Sequence, residues 1–167
     1  MDRSNKKSFT LIEILVVTTL IVVMSGISMA VLTLYKDDRA LNAQVSLFVN
    51  TLELAKNKAI AGDVALCSDS QTAHVNGYSV IVNSTGMILL PGCDTVATPI
   101  VQAIPTNIAF IAPTFSVQFG SLNYQGKMKR FSIKNTTTNT CKFVQINETG
   151  VITNGDCSSC PCLTPTP

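Results

Sequence analysis

Hydrophobic and polar positions divide the chain into three stretches of different period. A short start carries Asp2, Arg3, Lys6 and Lys7, and from Ile14 to Tyr35 no residue is charged. This apolar rod exceeds the roughly 20 residues that cross a bilayer. After Lys36-Asp37-Asp38-Arg39 the period becomes helical. Leu41, Val45, Phe48, Leu52, Ala55 and Ala59 recur at alternating steps of four and three, and Gly62 follows. That spacing is one face of a helix, and Gly is a stop signal. The helix from Phe9 to Ala61 would be about 80 Å long. A coiled coil is the alternative for such a stripe, but its brevity and the pattern that follows favour packing on a sheet.

Beyond Gly62 the period is two, with turn residues between runs. Tyr78–Val82 and Met87–Leu90 read as a hairpin around Asn83-Ser84-Thr85-Gly86. Pro99–Ile104, Ile108–Ile111, Phe115–Phe119, Met128–Lys134, Cys141–Ile146 and Val151-Ile152 read as further short strands. Roughly six to eight strands after one long helix predict an α+β domain with antiparallel sheet.

Charged residues are only 13% of the 167, against about 25% in ordinary soluble domains, while hydrophobic residues are 46%. That balance excludes a disordered chain. One histidine and no tryptophan leave little for a histidine-based active site, and a net charge of +2 implies no acidic partner. No nucleotide loop, Gly-x-Ser-x-Gly or His-Glu-x-x-His occurs, so neither an enzyme nor a cofactor is expected. Asp94 is the one charge between Gln71 and Gln125, and Lys127, Lys129, Arg130, Lys134 and Lys142 form a basic stretch after it.

The basic start predicts a cytoplasmic N-terminus and an exported body. A cleaved secretory signal is one reading, with Ser28-Met29-Ala30 as its small-residue site. Its apolar core is normally about 7–15 residues, shorter than this one. Neither that reading nor a plain anchor explains Glu13, because a carboxylate in the apolar region costs about 2.5–3.5 kcal/mol. Interfacial placement with access to headgroup water is a further alternative.

Lys6-Lys7-Ser8-Phe9-Thr10-Leu11-Ile12-Glu13, running into Ile14-Leu15-Val16-Val17, resembles the leader of type IV pilins and pseudopilins. The resemblance covers about the first 35 residues. It implies cleavage between Ser8 and Phe9 by prepilin peptidase, N-methylation of Phe9, and an assembly role for Glu13. The family usually has Gly before the cut, where this chain has the small residue Ser8. The new amine at Phe9 of one subunit could then meet the Glu13 carboxylate of a neighbour. Leu54–Ala59, Val64–Ser68, Gly77–Val80 and Val144–Asn147 before Gly150 further resemble the H-type minor pseudopilins of type II secretion. The calcium loop that G-type major pseudopilins often carry is not expected, since only Glu148 and Asp156 lie in that region.

Cys67, Cys93, Cys141, Cys157, Cys160 and Cys162 all lie on the exported side of the rod. An even number in an oxidising compartment favours disulfides, with 15 complete pairings open. If the last hairpin pairs Asn147 with Gly150, Cys141 faces Asp156 and lies next to Cys157. That register favours Cys141–Cys157, with Cys67–Cys93 as a second expectation. Zinc and redox chemistry are the alternatives for Cys157-Ser158-Ser159-Cys160-Pro161-Cys162, but no second C-x-x-C and no βαβ pattern accompany it, and no metal site is expected.

Lys127, Lys129 and Arg130 with Tyr124 have the chemistry to touch DNA, yet a solvated strand face is the plainer reading, and nucleic acid is not an expected partner. His74 reads as a surface residue. Asn83, Asn135 and Asn147 fit a common glycosylation spacing beside a leader of bacterial type. The organisation expected is a leader (1–8), a transmembrane half-helix (9–35), an amphipathic half-helix (36–61), a β-rich head (62–157) and a Cys/Pro-rich tail (158–167). The function expected is a minor structural subunit of a type IV pilus or secretion pseudopilus in the bacterial inner membrane, its head exported. Its expected partners are other pilin or pseudopilin subunits, prepilin peptidase, the inner-membrane assembly platform and, before assembly, lipid. The alternative is an exported, membrane-anchored module that binds DNA or a surface ligand outside any filament.

Overall fold

A computed structural model describes residues 10–68, 74–84, 86–94, 96–112, 114–120, 124, 127–160 and 162. One helix, α1, runs from Leu11 to Ala61, and eight strands follow. They are β1 (Val75–Val82), β2 (Gly86–Cys93), β3 (Ile100–Ala103), β4 (Ile108–Phe110), β5 (Phe115–Phe119), β6 (Lys129–Asn135), β7 (Cys141–Ile146) and β8 (Ile152–Asp156). The chain divides into two units, residues 1–36 and 37–167.

In the second unit the strands form two antiparallel sheets rather than one. Sheet one has the order β3-β2-β1-β5 and sheet two the order β4-β6-β7-β8. The helical stripe supplies much of the core: Leu41, Val45, Phe48, Leu52, Ala55 and Ala59 are all buried. Val80, Val82, Met87, Leu89, Val117 and Phe119 meet it from sheet one, and Phe131, Ile133, Val144 and Ile146 from sheet two. Phe48 lies at the centre. Its ring makes edge-on contacts with Phe110 of β4, Phe115 of β5 and Phe131 of β6. Phe115 and Phe131 stack at 4.2 Å, which links the two sheets where no backbone pairing does.

Polar clips fix the ends. Lys56 Nζ donates to Gly150 O at 2.8 Å, tying the helix to the last turn of sheet two. Lys58 pairs with Asp63 just past the helix end, and Tyr78 Oη donates to Asp63 O at 2.6 Å from sheet one. Fully buried Asn135 donates through Nδ2 to Asp37 O at 3.0 Å. The three sequon asparagines are turn residues. Asn83 Oδ1 accepts from Gly86 N, Asn135 Oδ1 from Thr137 N and Thr138 N, and Asn147 Oδ1 from Thr149 N and Val151 N. Such short side chains replace missing ladder partners at bends.

The last hairpin differs from its expected register by one residue. Gly150 has φ 75°, and its N–H donates to Asn147 O at 3.0 Å. A type I turn followed by a left-handed Gly adds one residue to the loop. Asn147 therefore pairs with Val151 and Ile146 with Ile152. Cys141 then lies across from Cys157, whose N–H donates to Cys141 O at 3.3 Å.

The expected Cys141–Cys157 bond is nonetheless absent. Cys141 is joined to Cys160 and Cys157 to Cys162, while Cys67–Cys93 is as expected. The chain bends after β8 through 158–160, which brings Cys160 to Cys141 and leaves Cys157 for Cys162. Tyr124 is also not a surface aromatic: it is buried, and its hydroxyl donates to Lys127 O at 3.0 Å.

Candidate functional site

The first unit contains the chemistry that the pattern singled out. Thr10 begins α1 as its cap. Its Oγ1 accepts from Glu13 N at 3.3 Å, and its carbonyl accepts from Glu13 N at 3.1 Å and Ile14 N at 3.3 Å. Glu13 thus stands at the third helical position, where a carboxylate interacts favourably with the unpaired N–H groups and the positive end of the helix. Thr10-Leu11-Ile12-Glu13 is the capping-box pattern, and that sequence signal places the helix start at Leu11, two residues after Phe9. Ser8 and Phe9 lie outside the described residues.

Beyond Glu13 the helix buries nothing. Every large apolar side chain described from Leu11 to Met24 is more than half exposed. A surface that is apolar all round needs lipid or other helices for cover. Its hydroxyls are already satisfied. Thr18 Oγ1 donates to Leu15 O at 3.0 Å, Thr19 Oγ1 to Val16 O at 2.9 Å, and Ser25 Oγ to Ile21 O at 2.7 Å. Each removes a polar group that would otherwise be costly away from water. Glu13 is the one formal charge from Thr10 to Met24, and no ion pair joins it to another of the described residues. Among the described residues no helix is long and apolar enough to cross a membrane.

A family model described as the prokaryotic N-terminal methylation motif matches residues 3–33. The match falls on the residues that carry the resemblance to type IV pilins and pseudopilins. The matched motif takes in Arg3, Lys6, Lys7, Ser8, Phe9 and Glu13, and ends before the amphipathic stripe. The H-type likeness, which rests on residues 54–150, lies outside it. No curated protein and no solved structure matches the chain.

The cysteines expected at a site are all cross-linked, as three disulfides. Cys67–Cys93 fastens the segment after the helix to the end of β2. The other two fasten the tail to sheet two. A cleft of about 370 Å³ lies beside that tail, bounded by Asp38 and Asn42 of the helix, Lys142, Asp156 and the half-cystines Cys157 and Cys160. Lys142 Nζ and Asp156 Oδ1 are 2.5 Å apart there. The ion pair neutralises two of the charges that line the cleft, and Asp38 is the other charged residue of its lining. Of the basic stretch, Lys129 donates to Ser116 O at 3.1 Å, while Arg130 binds Gln145 Oε1 and lies 4.4 Å from the Phe143 ring centre. Lys129 thus reaches the β5 edge of sheet one, and Arg130 spans the two central strands of sheet two.

Proposed function

We propose that the chain is a minor structural subunit of a type IV pilus or a type II secretion pseudopilus. The methylation motif at residues 3–33, continuous with a helix whose apolar surface is uncovered, carries this reading. Prepilin peptidase cuts between Ser8 and Phe9, and Phe9 is methylated. Before assembly the rod lies in the inner membrane with Arg3, Lys6 and Lys7 on the cytoplasmic side, as the positive-inside rule requires. The body is exported, which suits its three disulfides.

Cleavage creates an amine next to the Thr10 cap and four residues before Glu13. Within one subunit the capped helix start already favours the carboxylate. In a filament the amine of one subunit meets the Glu13 of its neighbour, and two charges leave the lipid as a pair. Removing one member leaves the other buried and unpaired, which costs more than the pair is worth.

Glu13→Leu separates these roles. The variant should stay in the membrane and keep a folded head, because the head core starts at Leu41. It should fail to enter filaments when expressed with wild type and the rest of the machine. Shearing the filaments and comparing the two forms by mass spectrometry reads this out. Equal entry of both would remove the assembly role of Glu13. Loss from the membrane would move that role to insertion.

A further inference from the structure

Cys141, Cys157, Cys160 and Cys162 form one cluster in which a bond other than the two present is within reach. Cys141 opens β7, and Cys157 follows the end of β8. The Cys157 N–H donates to Cys141 O at 3.3 Å, so the two residues oppose each other across the hairpin. Directly opposed residues of an antiparallel pair point to one face, with Cβ atoms about 4.5–5.5 Å apart. A disulfide needs about 3.5–4.5 Å. The difference of about 1 Å falls on Cys157, which lies just past the strand. Yet both residues are bonded to the tail instead, Cys141 to Cys160 and Cys157 to Cys162.

Access differs along the cluster. Cys160 is exposed, Cys157 and Cys162 are half-buried, and Cys141 is buried. Attack on a disulfide depends on access, so a reductant in solution meets the tail sulfurs first. Ser158, Ser159 and Cys160 also line the cleft of about 370 Å³, together with Asp38, Leu41 and Asn42 of the helix. The bonds that fasten the tail therefore hold one side of that cleft in place.

We propose that this cluster is a thiol–disulfide latch, in which a dithiol reductant moves the bonding to Cys141–Cys157 and frees the tail from Ser158 onward. The exchange balances by either entry. The two thiols of the reductant become a disulfide and supply two electrons. If they open Cys157–Cys162, the Cys157 thiolate attacks Cys141 Sγ. The Cys141–Cys157 bond forms and the Cys141–Cys160 bond breaks. Cys160 leaves as the thiolate and takes up the proton that Cys157 gave. If the reductant opens Cys141–Cys160 instead, the Cys141 thiolate attacks Cys157 Sγ and Cys162 leaves in the same way. Both routes end with one strand-to-strand disulfide and with Cys160 and Cys162 as thiols.

Two effects favour that product. The hairpin holds Cys141 and Cys157 at high effective concentration in every redox state. Releasing the bend at 158–160 returns conformational entropy to the chain. Cys67–Cys93, on sheet one, stands outside the cluster and keeps its bond. The latch lies within the second unit and does not rest on the filament reading.

The test uses the full chain in detergent, treated with limiting dithiothreitol, quenched in acid to remove thiolate, and alkylated with N-ethylmaleimide. Tandem mass spectrometry of the first doubly alkylated species should find label on Cys160 and Cys162 and a Cys141–Cys157 link. Label on Cys157 and Cys162 with Cys141–Cys160 intact would overturn the proposal. So would label on Cys141 and Cys160 with Cys157–Cys162 intact, or first label on Cys67 and Cys93. Cys160→Ser combined with Cys162→Ser sets the released state without reductant. This variant should form Cys141–Cys157 and show no reactive thiol. Proteinase K should cut it after Ser158 or Ser159 at least about tenfold faster than the parent, since a freed end is where nicking concentrates. Free Cys141 and Cys157 thiols in the variant, or unchanged cutting, would count against the latch, and the labelling of the parent chain stands whether or not the variant folds.

Discussion

The two sheets share a core and differ on the outside. Each has four antiparallel strands, alternates with period two, and sends its inward residues to one helical stripe. Outward, sheet one shows Ile81, Ile88, Leu90 and Val101. Sheet two shows Arg130, Ser132 and Lys134 on β6 and Phe143 and Gln145 on β7. There the Arg130 guanidinium packs on the Phe143 ring, which in turn lies against Gly155. A Cβ on Gly155 would come within 2.9 Å of that ring. Sheet two finishes its outer surface with its own side chains. Sheet one keeps an apolar row there, half-buried at Ile81 and Ile88 and exposed at Val101. Strand period therefore fixes which residues are inside, whereas the chemistry of the alternate positions decides whether the outside is finished.

The largest effect should come from breaking what the two sheets share. Phe48 touches aromatic rings from both, so Phe48→Ala removes packing from both at once. It should cost about 3–5 kcal/mol. Urea unfolding followed by circular dichroism would measure it, and a loss below 1 kcal/mol would mean that the sheets do not depend on that ring.

Disulfides should separate the sheets next. Stabilisation by loop closure grows with the enclosed length. Cys67–Cys93, on sheet one, spans 26 positions, and Cys141–Cys160 and Cys157–Cys162, on sheet two, span 19 and 5. Replacing each pair by Ser should cost about 3.5, about 3 and about 2 kcal/mol in that order. Peptide mapping without reductant checks the pairing itself, and recovery of a Cys141–Cys157 peptide would contradict it.

The smallest effect concerns the clip between the helix end and sheet one. The hydrogen bond from Lys58, and then the Ala65 N–H, hold the Asp63 carboxyl below the ordinary carboxylate range. The same hydrogen bond raises Lys58. A lowered carboxyl stabilises above its unfolded pKa, and that contribution is lost as pH falls through the folded value. A raised amine stabilises below its unfolded pKa, and that contribution is lost as pH rises through the folded value. The clip therefore works between about pH 4 and about pH 10. Both side chains are partly exposed, so it contributes under about 1 kcal/mol. Asp63→Asn should lower the melting temperature slightly at pH 7 and not at all near pH 2. An equal loss at both would assign the effect to packing.

Much of this was legible in the sequence. The stripe from Leu41 to Ala59 is buried at every position, because steps of three and four leave one helical face no other place to go. Glu13 stood out in the sequence because a charge is conspicuous in an apolar run, and the structure places it in the first turn of α1. The division into two sheets was not, since β5 pairs with β1 and β4 with β6, and period two does not encode partners. Neither was the tail pairing. Register alone put Cys141 beside Cys157, but the bend after Asp156 sends the chain back and hands Cys141 to Cys160. The Thr10 cap could have been read from Thr-x-x-Glu, had the helix not been started at Phe9.

The N-terminus of the mature protein decides most directly between a filament subunit and an ordinary secreted domain. Intact mass and peptide sequencing of the membrane-extracted chain should find it beginning at Phe9 with a methylated amine. A chain beginning at Val31, after Ser28-Met29-Ala30, would contradict the account, because the rod and Glu13 would be gone before any filament could form.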